Sequence, residues 1–214
     1  MNFFGHAVVA GFSDQEPRFV LGAMLPDFAG MVGARVRVVH DPMLKAGIEH
    51  HHRTDAAFHS SPVFVTFMHD TMQALEAVGL ARGPARATSH VGIELLLDGL
   101  FAHEATRVVH YKRALNVATH MDDLNSIQGL VGIGQLVQRL LSAPIPDGYR
   151  DVNFVVQRVQ TILSPRPRLR WDTTFAHAVH RVMATAQEKL RAQEARLLIY
   201  LREQLDDATS HTPS

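Results

Sequence analysis

A histidine-rich run at residues 47–59 carries the residue types that bind transition metals. Within it, His51, Asp55 and His59 are spaced four residues apart. If the run is helical, side chains four apart share a face, so these three would form one polar stripe. Two imidazoles and a carboxylate on a rigid helix suit a divalent transition metal. The spacing predicts metal ligands here, with an ordinary exposed helix pair as the alternative for His51 and Asp55.

A second stripe with the same spacing lies downstream, at His90, Glu94 and Asp98. The residues around Glu94 and Asp98 are mainly apolar, so this helix has little solvent face and at least one acid is expected to face the interior. Asp27 lies in an equally apolar segment, 20–32, and is expected to point inward for the same reason. Two such stripes predict a metal site inside a helical bundle.

The remaining histidines of these regions have more ordinary explanations. His50 is expected at the surface, and His52 next to the site, contacting a ligand residue or the substrate. His6 alone is expected to be a core or surface histidine. For His59, near a helix end, and His90, near a helix start, a surface histidine is the alternative to ligation.

Composition limits the chemistry of any site. The chain has 214 residues, which fits one domain over 1–208 followed by a disordered polar tail, 209–214. It has no cysteine, so a metal must be held by His, Asp and Glu, and its 14 histidines are unusually many. Lys plus Arg and Asp plus Glu both number 21, so the net charge does not favour a nucleic-acid or anionic-membrane partner.

The sequence shows no secretory signal pattern and no apolar stretch near the roughly 18 residues that span a bilayer. A cytoplasmic protein is therefore expected.

Helical patterns separated by helix-breaking residues predict an all-α protein. Strand-like alternation occurs only at residues 35–40, and we interpret this segment as a loop or an extended connector. Such a connector would place Arg35 and Arg37 at the mouth of a site. The predicted helices are 3–11, 18–32 with an interruption near Pro26, a helix from Pro42 to the break at 60–62, 63–78, 85–106, 108–119, 124–142, 150–163 and 172–205.

Four ordered elements resemble the bacterial acyl carrier protein phosphodiesterase family, a divergent branch of the HD metal-dependent phosphohydrolases. Its Met-Asn-Phe-Leu-Ala-His and Gly-Asn-Leu-Leu-x-Asp-Phe elements are similar to residues 1–6 and 22–28. Its Gly-Ile-x-x-His-Arg-x-x-Asp element is similar to Gly47-Ile48, His51, His52-Arg53 and Asp55. Its Asp-x-x-x-Asp-His-Phe element is similar to Glu94, Asp98, Gly99 and, shifted, Phe101.

The resemblance implies an HD-domain-like helical bundle with a divalent cation, often manganese or magnesium. It also implies hydrolysis of the phosphodiester that joins 4′-phosphopantetheine to a serine of acyl carrier protein. Carried over residue by residue, it makes Asp27, His51, Asp55 and Asp98 the functional core.

The chain departs from the family pattern at four positions. His59 replaces an acid, Glu94 replaces the second later acid, Gly99 replaces a histidine, and His90 has no family counterpart. The richer imidazole set favours iron, manganese or zinc over magnesium. The missing histidine leaves the substrate open, either acyl carrier protein or another phosphorylated small molecule.

The leading hypothesis is a metal-dependent phosphohydrolase. Asp27, His51, Asp55 and Asp98 would hold the metal, with Glu94 or His90 as a second-site ligand or base. Asp55 and Glu94 would also act in catalysis, and Arg53 would neutralise phosphate charge. One alternative is a dinuclear iron oxidase or oxygenase on the same helical scaffold. Another is a non-enzymatic metal-binding interaction module.

Overall fold

The computed structural model describes residues 1–120 and 132–210, with side chains to residue 206, and within these ranges the chain is all-α, as predicted. The helices are α1 (Phe3–Ser13), α2 (Pro17–Met31), α3 (Pro42–Ser60), α4 (Pro62–Ala77), α5 (Arg82–Phe101), α6 (Ala105–Thr119), α7 (Ile133–Ser142), α8 (Val152–Leu163), α9 (Ala176–Arg191) and α10 (Glu194–Ser210). Two short 3₁₀ helices cover Asp147–Arg150 and Thr173–Phe175. None of the described helices combines the length and apolar composition needed to cross a membrane.

Prolines and capping side chains set where α2, α3 and α4 begin. Each of these helices starts with a proline, whose missing N–H would have had no helical partner at that position. The preceding residue accepts hydrogen bonds from the first free backbone N–H groups of the helix. These capping residues are Glu16, Asp41 and Ser61.

The chain clusters into two compact units. The first contains Met1–Phe58, Glu104–Pro146 and Leu201–Ser214, and the second contains His59–His103 and Asp147–Tyr200. One domain over residues 1–208 stays a prediction. Helix α10 runs to Ser210, and the rest of the predicted tail lies outside the described residues.

In the first unit, α1, α2 and α6 share an aromatic core. The ring of Tyr111 stacks on Phe3 at 6.1 Å and meets Phe4 edge-on at 5.3 Å, measured between ring centroids. Phe3 also packs against Phe28 of α2. Because α1 is buried from Phe3 to Ala10, a polar side chain on it lies in the interior.

Two glycines let α2 and α3 approach backbone to backbone. A Cβ atom on Gly47 would overlap the carbonyl oxygen of Phe19, and one on Gly22 would overlap the carbonyl oxygen of Leu44. The Cα of Gly47 is only 3.0 Å from the place a Gly22 Cβ would occupy. This close approach brings the helical turn after Gly47 against the turn after Gly22.

In the second unit, α5 is the central element. It packs against α4, α8, α9 and the 3₁₀ helix Asp147–Arg150. Gly92 faces the side chain of Met183, and Gly99 lies so close to the carbonyl of Tyr149 that a side chain there would overlap it. Where the resemblance expects a histidine, the chain therefore has a residue with no room for a side chain.

Several predicted boundaries were wrong. The single final helix is two, α9 and α10, separated at Ala192 and Gln193, whose N–H groups bond three residues back to Lys189 and Leu190. The residues around the break are good helix formers, so helix propensity does not predict it. Helix α2 continues through Pro26, and α5 ends at Phe101.

Residues 34–41 join α2 to α3 without regular structure, as predicted for 35–40. The predicted helix 124–142 is described only from Ile133, since 121–131 lie outside the described residues.

Candidate metal centres

Three potential ligand atoms converge in the first unit. They belong to His6 on α1, Asp27 on α2 and His51 on α3, and all lie within 4.8 Å of one another. Three helices therefore supply two imidazoles and one carboxylate. Such a mixed nitrogen and oxygen set is typical of sites for manganese, iron or zinc.

The orientation of His51 is set by the backbone of α2. Its Nδ1 lies 2.8 Å from the carbonyl oxygen of Ala23, and because a carbonyl only accepts, Nδ1 carries the proton. The other nitrogen, Nε2, then carries the lone pair. Burial lowers the pKa of His51 to about 4, against the opposing effect of the Ala23 hydrogen bond, so the ring is neutral near pH 7.

His6 is fully buried and its ring stacks on that of His51, with centroids 3.9 Å apart. Burial lowers its pKa to about 3, partly offset by Asp55. Its ring nitrogens make no hydrogen bond of ordinary length with the described residues, and Nε2 is 3.6 Å from Oδ1 of Asp55. A neutral buried imidazole of this kind is what a metal ligand requires.

Asp55 lies one turn after His51 on α3 and borders the cluster of His6, Asp27 and His51. Its Oδ1 is also 3.0 Å from the amino nitrogen of Met1. The Asp55 side chain is 41% exposed, whereas that of His6 is fully buried. Asp55 therefore reaches both the cluster and solvent.

A second cluster forms in the other unit from His59, His90 and Glu94, again with ligand atoms within 4.8 Å. Nε2 of His90 is 3.2 Å from Oε1 of Glu94, and Nε2 of His59 is 3.7 Å from the same oxygen. The two imidazoles are nearly parallel, with centroids 5.0 Å apart. Burial opposes ionisation of Glu94, but the hydrogen bond and charge of His90, together with His59, keep the pKa of this carboxyl below its ordinary value.

The ligand assignment rests on the geometry of this chain alone. No family model, curated protein or solved structure matches it.

The predicted ligands divide between the two clusters. His51 and Asp27 join the first, with Asp55 beside it, although His51 and His59 were expected to share one site. His59 joins His90 and Glu94. Asp98 is fully buried one turn beyond Glu94 and belongs to neither group of ligand atoms found among the described residues.

Arg53, predicted to contact phosphate, is exposed on α3. At 3.6 residues per turn it lies about 200° around the helix from both His51 and Asp55. Its phosphate role stays a prediction.

Two histidines differ from expectation. His6, treated as an isolated histidine, is a member of the first cluster, and the only sequence signal for it was the resemblance of residues 1–6 to a family element. The surface prediction for His50 was wrong, because its side chain is buried between α1 and α2. It contacts Ser13 Oγ at 3.1 Å and the ring of Phe19.

A cavity of about 570 Å³ opens in the first unit between α2, α3 and the connector 34–41. Its wall is largely apolar, with Arg35, Arg37 and Lys45 as cationic side chains and Glu49 as a carboxylate, and His52 also lines it. His52 packs edge-on against His51, with ring centroids 5.3 Å apart. A basic cavity therefore adjoins the helical turn that carries a candidate ligand.

Proposed function

We propose that this chain is a metal-dependent phosphohydrolase with an HD-domain-like helical bundle, in which His6, Asp27 and His51 hold the divalent ion. The observation that carries the proposal is the 2.8 Å contact between Nδ1 of His51 and the carbonyl of Ala23. Metal-binding histidines almost always donate their second N–H in this way, which sets the tautomer and orients the ligating nitrogen.

The donor set fits a divalent transition metal better than magnesium. His6 and His51 are neutral near pH 7, since burial lowers the pKa values of both, so binding need not displace a proton from either ring. Imidazole nitrogens favour manganese, iron and zinc. A bound divalent ion would supply a water of lowered pKa and polarise a phosphoryl oxygen.

Asp55 is suited to accept the proton of the attacking water. It borders the buried histidines, yet its side chain is 41% exposed, so it has access to both the cluster and solvent. A positioned general base of this kind contributes about 10²–10⁴ in rate. Glu94, the other predicted catalytic acid, belongs to the second cluster, and its role in this reaction stays a prediction.

The cavity beside His52 supports a phosphorylated substrate. Arg35 and Arg37 can pair with phosphate oxygens, and the apolar wall suits an attached organic group. Lys45 is 4.0 Å from Glu49, so it contributes less free positive charge. Together with the resemblance, this favours acyl carrier protein or a phosphorylated small molecule as substrate.

The proposal is tested by assaying chelated protein reloaded with manganese, iron, zinc or magnesium. The probes are bis(p-nitrophenyl) phosphate, p-nitrophenyl phosphate and acyl carrier protein carrying phosphopantetheine. We expect hydrolysis of at least one probe with a transition metal, and its loss in His51→Gln. His69→Gln, at an exposed histidine of α4, is the matched control. Loaded protein that hydrolyses none of the probes, or chelated protein that is equally active, would contradict the proposal.

The dinuclear iron oxidase has less support from the ligands. Di-iron carboxylate bundles use about four glutamates and two histidines, whereas each cluster here has two histidines and one carboxylate. An iron-dependent absorption band that responds to oxygen, without hydrolysis, would favour the oxidase. Tight metal binding with neither activity would favour the interaction module.

A further inference from the structure

We propose that His59, His90 and Glu94 bind a second divalent ion of the zinc class, with at least one coordination position left for water or a ligand. This inference does not depend on the phosphohydrolase assignment, since it concerns metal binding at a separate set of side chains.

The distances between the donor atoms match those around a small cation. A tetrahedral ion with bonds of about 2 Å separates its ligand atoms by about 3.3 Å. Nε2 of His90 is 3.2 Å and Nε2 of His59 is 3.7 Å from Oε1 of Glu94. Both separations are within a few tenths of an ångström of that value, and the three side chains have donor atoms within 4.8 Å of one another.

The charges of the cluster also favour a cation. Both histidines direct the same nitrogen, Nε2, toward one carboxylate oxygen. When each Nε2 carries its lone pair, two ring nitrogens and a carboxylate oxygen face one another, and a divalent cation satisfies all three.

The surrounding residues hold the cluster in place. Phe64 packs edge-on against both imidazoles, at 4.9 Å from His59 and 5.3 Å from His90. Ser61 accepts a hydrogen bond from the Phe64 N–H, which ties this aromatic wall to the start of α4. His90 and Glu94 are one turn apart on α5. Such preorganisation lowers the cost of ordering the ligands on binding.

The ligand set indicates the kind of ion. Two histidines and one glutamate are the protein ligands in one class of catalytic zinc site, in which water takes the remaining position. A glutamate side chain that is 15% exposed beside a His90 side chain that is 44% exposed leaves a route for water and exchangeable ligands.

The experiment measures bound zinc by elemental analysis and zinc affinity by calorimetry. The proteins compared are wild type, His90→Ala, Glu94→Gln and the control His103→Ala, which removes an exposed histidine just beyond α5. We expect His90→Ala and Glu94→Gln to lose one zinc equivalent, or to bind it at least tenfold more weakly, and the control to behave as wild type. Cobalt substitution adds a spectroscopic readout, in which the absorption band of one site disappears in His90→Ala.

A His51→Gln background separates this inference from the proposed function. We expect His51→Gln to retain one zinc equivalent, which the further change His90→Ala removes. Equal zinc content in wild type and His90→Ala would overturn the inference, whether or not the protein hydrolyses phosphate esters. Circular dichroism and the melting temperature check that His90→Ala is folded, and Glu94→Gln provides the second variant if it is not.

Discussion

Three consecutive histidines of α3 differ in how deeply their side chains are buried. His50 and His51 are buried, and His52, next in the chain, is exposed. Burial lowers the pKa values of His50 and His51 to about 4, so both are neutral near pH 7. The neutral ring of His51 has a lone pair for a metal at the first cluster. His50 instead contacts Ser13 and Thr54, and its role is structural.

The buried, neutral His50 should make the free energy of unfolding decrease in acid. Its pKa is lower in the folded state than the unfolded value of 6.5, so the unfolded chain binds more protons and stability falls as pH drops from 6.5 toward 4. Between pH 7 and pH 5, we expect chelated wild type to lose about 1–2 kcal/mol more than His50→Gln. Urea unfolding at both pH values measures this.

The exposed His52→Gln is the control and should lose as much stability as wild type over the same pH interval. An identical pH dependence in His50→Gln and wild type would show that His50 does not titrate on unfolding.

A substitution of Asp55 should reduce catalysis without reducing metal binding. If it accepts the proton of the attacking water, Asp55→Asn lowers kcat by about 10²-fold or more while KM changes little. Metal content, measured beside kcat, should stay near that of wild type. Loss of the ion in Asp55→Asn would assign Asp55 as a ligand instead.

At the scale of elements, the approach of α2 to α3 positions the first cluster. Gly47 lies one turn before His51, and Gly22 directly precedes Ala23, whose carbonyl accepts the His51 N–H. A side chain at either glycine would separate the helices and lengthen that hydrogen bond.

We therefore expect Gly47→Ala to destabilise the protein by about 1–3 kcal/mol, because the added Cβ meets backbone atoms that cannot move aside. It should also weaken metal binding at His51. Gly30→Ala, on α2 with nothing near the added Cβ, should instead stabilise by about 0.5–1 kcal/mol. Thermal melting and zinc titration distinguish the two, and Gly47→Ala as stable as wild type would refute the close approach.

The start of α4 supports the second cluster in a similar way. Ser61 is fully buried and caps α4, whereas Thr66 of the same helix is exposed. Ser61→Ala should cost about 1 kcal/mol and weaken zinc binding at His59, His90 and Glu94, while Thr66→Ala weakens neither stability nor zinc binding. Equal effects of the two changes on zinc affinity would contradict the positioning role of the cap.

At the scale of the whole molecule, the described residues of each compact unit contain one candidate cluster. An ion that binds only the folded state adds about 2.7 kcal/mol to the free energy of unfolding at a concentration 100 times its dissociation constant. We expect zinc to stabilise the chelated protein, and His51→Gln and His90→Ala each to remove part of that gain. Urea unfolding with and without zinc at fixed pH provides the measurement, and no stabilisation in wild type would refute both clusters.

The sequence by itself determined the helical class and the chemistry available to a site. Pro42 predicted the start of α3, because the N-terminal position is where a helix tolerates proline, and the break at residues 60–62 predicted the start of α4 to within one residue. The absence of cysteine limited ligands to His, Asp and Glu. Four-residue spacing correctly placed His90 and Glu94 on one face of α5, because that relation depends only on helix geometry.

Only the tertiary structure decided which side chains meet. Helical periodicity states which face a residue occupies but not which helix covers that face, so His51 and His59 were expected together and belong to different clusters. His6 joined the first cluster because α1 is buried, and His51 met Ala23 because Gly22 and Gly47 let two backbones touch. These contacts depend on packing between residues distant in the chain, which local spacing does not encode.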